Sequence, residues 1–196
     1  MKRTYFNELA PRWDTLPVPP DPGKVARFTA LSLAPDARRI LDVGCGTGIL
    51  VEHLRRGAAG FTALVELDIA ERMLALNRTR SGDPRIAHVC SDALHPPFSR
   101  GVFDTVLCFN ALPHFDPVEL TLRSMVECLR SGGLLAVGHL MGSDVLNAFH
   151  SSVGGAVGHD RLPAAPELAG LLERLGTEIV RQEEAPDWYL VQARKL

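Results

Sequence analysis

The chain has 196 residues, a formal net charge of −2, 46% hydrophobic and 22% charged residues. That balance excludes a wholly disordered chain and leaves no basic footprint for a nucleic acid. The longest apolar run, residues 132–142, is broken by His139 and falls short of the ~20 residues a spanning helix needs, so no membrane partner is expected. Residues 1–14 lack the apolar segment of a signal peptide. Cys45, Cys90, Cys108 and Cys128 have no short paired spacing, which predicts buried free thiols and a cytoplasmic location.

Residues 1–23 carry Pro11, Pro17, Pro19, Pro20 and Pro22 and read as an irregular arm. The spacing of Val25, Phe28, Leu31 and Ser32 predicts a helix over 24–34. Residues 39–43 read as a short buried strand running into glycines, and 49–56 as a helix stopped by Gly57. A second strand covers 61–67, a helix 71–79, and a third strand 85–90. The fourth strand, 103–109, is apolar on both sides of Asp104 and therefore expected to be covered on both faces. Leu120, Leu122, Met125, Val126 and Leu129 supply the stripe of a helix over 118–130, ended by Ser131-Gly132-Gly133, and 134–138 is a fifth strand. Beyond a helix over 166–175, strands over 177–182 and 188–193 are five residues apart, room for an antiparallel hairpin and not for a crossover. Strands alternating with helices predict one doubly wound α/β domain over 1–196, seven-stranded, mostly parallel, with the last strand antiparallel.

The most informative stretch is Ile40-Leu-Asp-Val-Gly-Cys-Gly-Thr-Gly-Ile-Leu50. A strand feeds a turn in which Gly44, Gly46 and Gly48 let the backbone approach a ligand, and a helix follows at the carboxyl edge of the sheet. A dinucleotide turn wants Gly or Ala where Ile49 stands, which weakens a nicotinamide reading.

Leu41 to Gly48 resembles, residue for residue, the commonest form of motif I of class I S-adenosylmethionine-dependent methyltransferases. The likeness continues in four further stretches: Glu66 to Met73, an acidic loop; Ser91-Asp92-Ala93-Leu94; Phe103 to His114; and Leu129 to Leu135. It resembles the small-molecule, quinone-biosynthesis-like branch, whose opening arm is matched by Phe6 to Asp14. The resemblance implies a Rossmann-like fold, S-adenosylmethionine as cofactor with S-adenosylhomocysteine as product, and a small-molecule acceptor. It also implies a cofactor set of Trp13, Asp42, Gly44, Cys45, Gly46, Asp68, Ile69, Met73, Asp92, Ala93 and Asn110. Within that set Asp68 would take the ribose hydroxyls, with Glu66 the less favoured choice, and Asp68 as a helix cap the bland alternative. Asp92 and Ala93 would read adenine, against an Asx turn as the alternative. Asn110 would border the methionine moiety, and Trp13 in the arm 1–23 would close as a lid.

Methyl transfer needs a positioned acceptor and, for an O, N or S atom, a base. His114, His139 and His150 are the candidates, at or beyond the ends of the fourth and fifth strands. Residues 140–165, with a short helix predicted over 144–151, are expected to form the acceptor site. Gly154, Gly155 and Gly158 would let His159-Asp160 fold inward. A transition metal on His139, His150, His159 and Asp160 is the second reading of these residues, although their spacing matches no compact metal motif. A non-catalytic S-adenosylmethionine-binding regulator and a NAD-dependent oxidoreductase stand as alternative functions.

Overall fold

The computed structural model describes residues 2–15, 19–34, 36–58 and 60–196. In chain order its first elements are α1 (Lys2–Leu9), α2 (Pro22–Ser32), β1 (Arg39–Val43), α3 (Val51–Gly57), β2 (Ala63–Asp68), α4 (Glu71–Arg78) and β3 (Ile86–Cys90). Then come β4 (Phe103–Phe109), α5 (Val118–Cys128), β5 (Leu129–His139), α6 (Ser143–Val153), α7 (Ala165–Arg174), β6 (Thr177–Ala185) and β7 (Trp188–Lys195).

The seven strands form one sheet in the order β3-β2-β1-β4-β5-β7-β6. β1 pairs in parallel with β2 and β4, and β4 with β5; β7 runs antiparallel to both β5 and β6. Side chains alternate across each strand, so the two faces bury two separate cores. Leu41, Val106, Leu135 and Tyr189 pack with Leu122, Met125, Leu168 and Leu172 of α5 and α7. Ile40, Leu107, Ala136 and Leu190 pack on the other face with Phe28 and Leu54 of α2 and α3. Gly138 makes room on that second face. A Cβ there would collide with the Phe28 ring, which stacks 4.5 Å from Phe109.

Four local expectations change. Residues Lys2–Leu9 are helical, and Ala10–Thr15 continue as a 3-10 turn, where an irregular arm is expected. The first proline is Pro11, beyond α1, and Pro22 starts α2 at its first turn, with Asp21 accepting the Gly23 and Lys24 N–H groups. Proline is compatible with both places; Pro17 lies outside the described residues. The helix after β4 ends at Cys128, two residues short of expectation, because buried Leu129 pairs with Phe103 and opens β5. The last two strands run longer, leaving only Pro186 and Asp187 between them. Cys90 corrects the expectation of buried thiols: Cys45, Cys108 and Cys128 are buried, but Cys90 is exposed on the edge strand β3. Among the described residues no helix is long and apolar enough to cross a membrane.

Beneath the glycine turn lies a buried polar layer. Glu66 on β2 is fully buried; its Oε2 accepts from Asn77 Nδ2 at 2.7 Å, while Oε1 has no partner. Burial lifts its pKa to about 7. Protonation of Glu66 therefore favours the folded state: this contribution is fully present below the unfolded value of 4.5 and is lost as pH rises through about 7. Glu66→Gln keeps an acceptor for Asn77 and removes the titration. Thermal unfolding at pH 5 and pH 8 is expected to show the variant gaining on the wild type at pH 8, by about 2–3 kcal/mol or several degrees in Tm.

Candidate active site

Each glycine of the turn after β1 has its own reason. All three have positive φ, of 72°, 55° and 83° for Gly44, Gly46 and Gly48, a region that glycine enters at little cost. A Cβ on Gly44 would come within 2.5 Å of the Ala111 Cβ, and one on Gly48 within 2.5 Å of Asn77 Oδ1. A Cβ on Gly46 would meet nothing within 4 Å. Gly44 and Gly46 line a cavity of about 440 Å³, while Gly48 packs inward on Asn77 and does not.

The turn is fastened to β2 by its own N–H groups. Gly44 and Cys45 N–H donate to the Leu67 carbonyl at 2.8 and 3.1 Å, and Gly46 N–H donates to Asp68 Oδ2 at 2.9 Å. These donors are spent within the protein, and α3 begins only at Val51. The turn therefore offers a ligand close backbone approach and space, in place of the N–H cradle that a pyrophosphate uses.

Nine of the eleven residues expected around the cofactor line this cavity. Trp13, Gly44, Gly46, Asp68 and Ile69 do so, as do Met73, Asp92, Ala93 and Asn110. Asp42 and Cys45 do not; both are buried behind the turn. Burial holds Asp42 well above the usual carboxylate range, with Glu66 and Asp68 adding to it, and raises the Cys45 thiol likewise.

Asp68 sits where β2 ends. Its Oδ1 accepts the Ala70 N–H at 2.8 Å, an Asx-turn contact ahead of α4, whose N-cap is Ala70 without a side-chain cap, and Oδ2 accepts the Gly46 N–H. Burial raises its pKa against the pull of those donors. An ionised carboxylate has about four lone-pair sites, so two N–H bonds leave acceptor capacity for hydroxyls. Asp92 Oδ1 accepts from Leu94 N–H at 2.9 Å, the Asx-turn contact. Asn110 holds a positive φ of 53°, donates its N–H to Gly138, and accepts from Leu140 N–H through Oδ1. It thus pins the ends of β4 and β5 together in a conformation non-glycine residues seldom adopt.

The arm covers the cavity. Phe6 and Trp13 line it with ring centroids 6.0 Å apart, and Phe6 meets the His114 ring edge-to-face at 5.0 Å. Asn7 Oδ1 accepts from Arg72 N–H, and Asp14 Oδ1 accepts from Thr47 Oγ1 at 2.7 Å. Arg80 Nη2 donates to Asp14 Oδ2 at 2.7 Å. Phe6, Lys2 and Arg3 line the cavity without having been expected there. Phe6 stands in the arm pattern that singled out Trp13, whereas nothing in the sequence marks Lys2 or Arg3.

Of the three histidines expected to act, only His114 lines the cavity. It ends the 3-10 turn after β4, and its Nδ1 lies 2.6 Å from Asp160 Oδ2. His150 stands behind it, 5.2 Å between ring centroids, with Nδ1 3.2 Å from the Asp160 carbonyl oxygen. His139 is buried at the end of β5; its Nε2 has no partner, and burial, with His114 and His150 nearby, pushes its pKa to about 3. His159 is exposed, so only Asp160 of that pair folds inward. The second reading, a transition metal drawn from His139, His150, His159 and Asp160, finds no such cluster among the described residues. Asp160's carboxylate is taken by His114 and Lys2, His159 faces away, and among the described residues no group of three or more His, Cys, Asp or Glu could hold a metal ion.

Comparison with known proteins agrees with this geometry. Residues 41–137 match a family described as a methyltransferase domain. The chain is 34% identical over 139 residues to the demethylmenaquinone methyltransferase of Thermus thermophilus, covering 67% of this chain and 62% of that one. It is 33% identical over 139 residues to a ubiquinone biosynthesis O-methyltransferase of Xanthomonas campestris pv. campestris, covering 66% and 56%. The chain thus spans less than two thirds of these relatives' lengths. Among solved structures, an S-adenosylmethionine-dependent methyltransferase from Mesorhizobium loti superposes with a TM-score of 0.75 at 18% identity, covering 89% of this chain and 100% of that one. A chain of the complex between the Haloferax volcanii Trm112 methyltransferase activator and a methyltransferase gives 0.83 at 16%, covering 99% and 97%; both show a shared fold. With motif I on β1, nine expected residues lining one cavity and these similarities, residues 41–137 belong to the methyltransferase-domain family, on a fold shared with S-adenosylmethionine-dependent methyltransferases.

Proposed function

We propose that the chain transfers the methyl group of S-adenosylmethionine to a small-molecule acceptor held between the cavity and the N-terminal arm. The observation that carries this reading is a single cavity walled by Gly46, Asp68, Asp92 and Asn110 on one side and by His114 and the arm on the other. When bound, the cofactor supplies an electrophilic methyl on a sulfonium, which departs as the neutral thioether S-adenosylhomocysteine. Open space over Gly46 admits it, Asp68 accepts from its ribose hydroxyls, Asp92 and Ala93 read its adenine, and Asn110 borders its methionine end. Trp13 and Phe6 close over it and exclude water. Asp42 and Cys45 hold the turn from behind.

His114 is the group placed to take a proton from the acceptor, and His139 and His150 back it. An acceptor X–H gives its proton to the imidazole as its lone pair takes the methyl carbon, which balances charge on both sides. Residues 140–165 serve the acceptor side by seating Asp160 and His150 against His114, and residues 1–23 act as the lid over one domain. The relatives' names favour a quinone-precursor type of acceptor, and the four free thiols suit a reducing cytoplasm. A dinucleotide oxidoreductase is disfavoured by the N–H groups already bonded to β2. A purely binding role is disfavoured by a histidine paired with a carboxylate at the cavity wall.

Two outcomes test this reading. In calorimetry with S-adenosylhomocysteine, Gly46→Ala is expected to lose at least tenfold in affinity, while its stability falls only by the roughly 1–2 kcal/mol that an alanine costs at a positive φ. Gly48→Ala, whose methyl meets Asn77, is expected instead to lose stability by about 1–3 kcal/mol. Release of S-adenosylhomocysteine over a panel of small phenols, enols and amines is expected from the wild type. His114→Ala should lower that rate by roughly 10²–10⁴-fold with cofactor affinity within threefold; an unchanged rate would remove His114 from the reaction.

A further inference from the structure

The carboxylate of Asp160 joins two parts of the chain that the sequence keeps far apart. Its Oδ2 lies 2.6 Å from His114 Nδ1, and its Oδ1 accepts from Lys2 Nζ of α1, which also donates to the Ala156 carbonyl at 2.5 Å. Burial works to raise the Asp160 pKa, but the bonds from His114 and Lys2 prevail and hold it below the usual carboxylate range. An ionised carboxylate only accepts, so His114 Nδ1 must carry the proton toward it. In a neutral imidazole that fixes Nε2 as the lone-pair nitrogen, and among the described residues His114 Nε2 has no hydrogen-bond partner.

Lys2 Nζ holds the other oxygen, so the carboxylate that fixes Nδ1–H of His114 also fastens α1. Among the described residues, the other charged or titratable groups near the ring or lining its cavity are His150, His139, Asp68, Asp92, Arg3 and Asp116. The same arm also presses Phe6 against the ring. Lys2 and Phe6 belong to α1, so the arm is fastened to the same carboxylate and ring that form the base.

We propose that Asp160 is a positioning residue that fixes the Nδ1–H tautomer of His114, and that Lys2 ties this arrangement to closure of the N-terminal arm. The inference rests on the methyltransferase reading of the cavity for its purpose, but not for its test. The chemical consequence is that the lone pair at His114 Nε2 is offered to the acceptor in a cavity that the same carboxylate helps the arm to close against water.

The experiment uses the full chain labelled with ¹⁵N-histidine, without an acceptor. At neutral to mildly alkaline pH, long-range proton–nitrogen spectra are expected to show His114 as the Nδ1–H tautomer. Asp160→Asn, whose amide can donate to Nδ1, should shift it to the Nε2–H tautomer, and Asp160→Glu should restore Nδ1–H. Lys2→Met lies on a partly exposed side chain and so keeps the fold. It should leave the tautomer in place but raise amide exchange across residues 2–9 severalfold, with β4 unchanged. Retention of Nδ1–H in Asp160→Asn overturns the positioning role, and unaltered exchange in Lys2→Met overturns the link to the arm. If the tautomer behaves as expected but no acceptor yields S-adenosylhomocysteine, the positioning geometry stands and the base reading falls.

Discussion

One constraint organises the site: the turn after β1 is tied to the end of β2 by three successive backbone N–H groups, the last ending on the Asp68 carboxylate. Because those donors point at β2, the opposite side of the turn is bare backbone, and Gly46 has nothing over it. The same carboxylate holds the N–H of Ala70, the residue before α4, so the turn, the strand end and the approach to the helix share one fixed point. A side chain at Gly44 would strike Ala111 and one at Gly48 would strike Asn77. The three glycines thus serve a neighbouring turn, a ligand and a buried amide respectively, and only one of them is there to admit a ligand.

That arrangement separates this fold from its dinucleotide-binding cousins on physical grounds. A pyrophosphate needs free N–H donors at a helix N-terminus, and here the donors are consumed and the helix starts late. A nucleoside that carries a sulfonium in place of phosphates asks for acceptors and close approach. In the function proposed above, Asp68 and Asp92 are the acceptors, and Gly46 leaves room for the approach. Desolvation of the carboxylates beneath the turn is the cost, visible in Asp42 and Glu66, both held above the usual range by burial.

Much of this is legible in the sequence. The alternation of strands and helices, and the short gap between the last two strands, place every strand of the sheet in kind. Motif I and the acidic loop lead to five of the residues that line the cavity, and the arm, the segment after β3 and the end of β4 lead to four more. What the sequence hides is set by long-range contacts. Proline counting misreads the arm because the prolines fall after α1 and at the start of α2, where they do no harm. The strand β5 begins early because Leu129 finds Phe103, a pairing no helical stripe reveals. The histidines sort themselves only in three dimensions: His114 reaches the cavity, His139 and His150 stand behind it, and His159 turns outward. Lys2 meets Asp160 across 158 residues, which no local pattern encodes.

The central claim is that one cavity holds the cofactor with its reactive end toward His114. A crystal structure of the chain with S-adenosylhomocysteine tests this most directly. The account predicts ribose hydroxyls on Asp68, adenine beside Asp92 and Ala93, and the thioether sulfur facing the His114 side of the cavity beneath Phe6 and Trp13. Ligand bound elsewhere, or bound here with its sulfur turned away from His114, would contradict it.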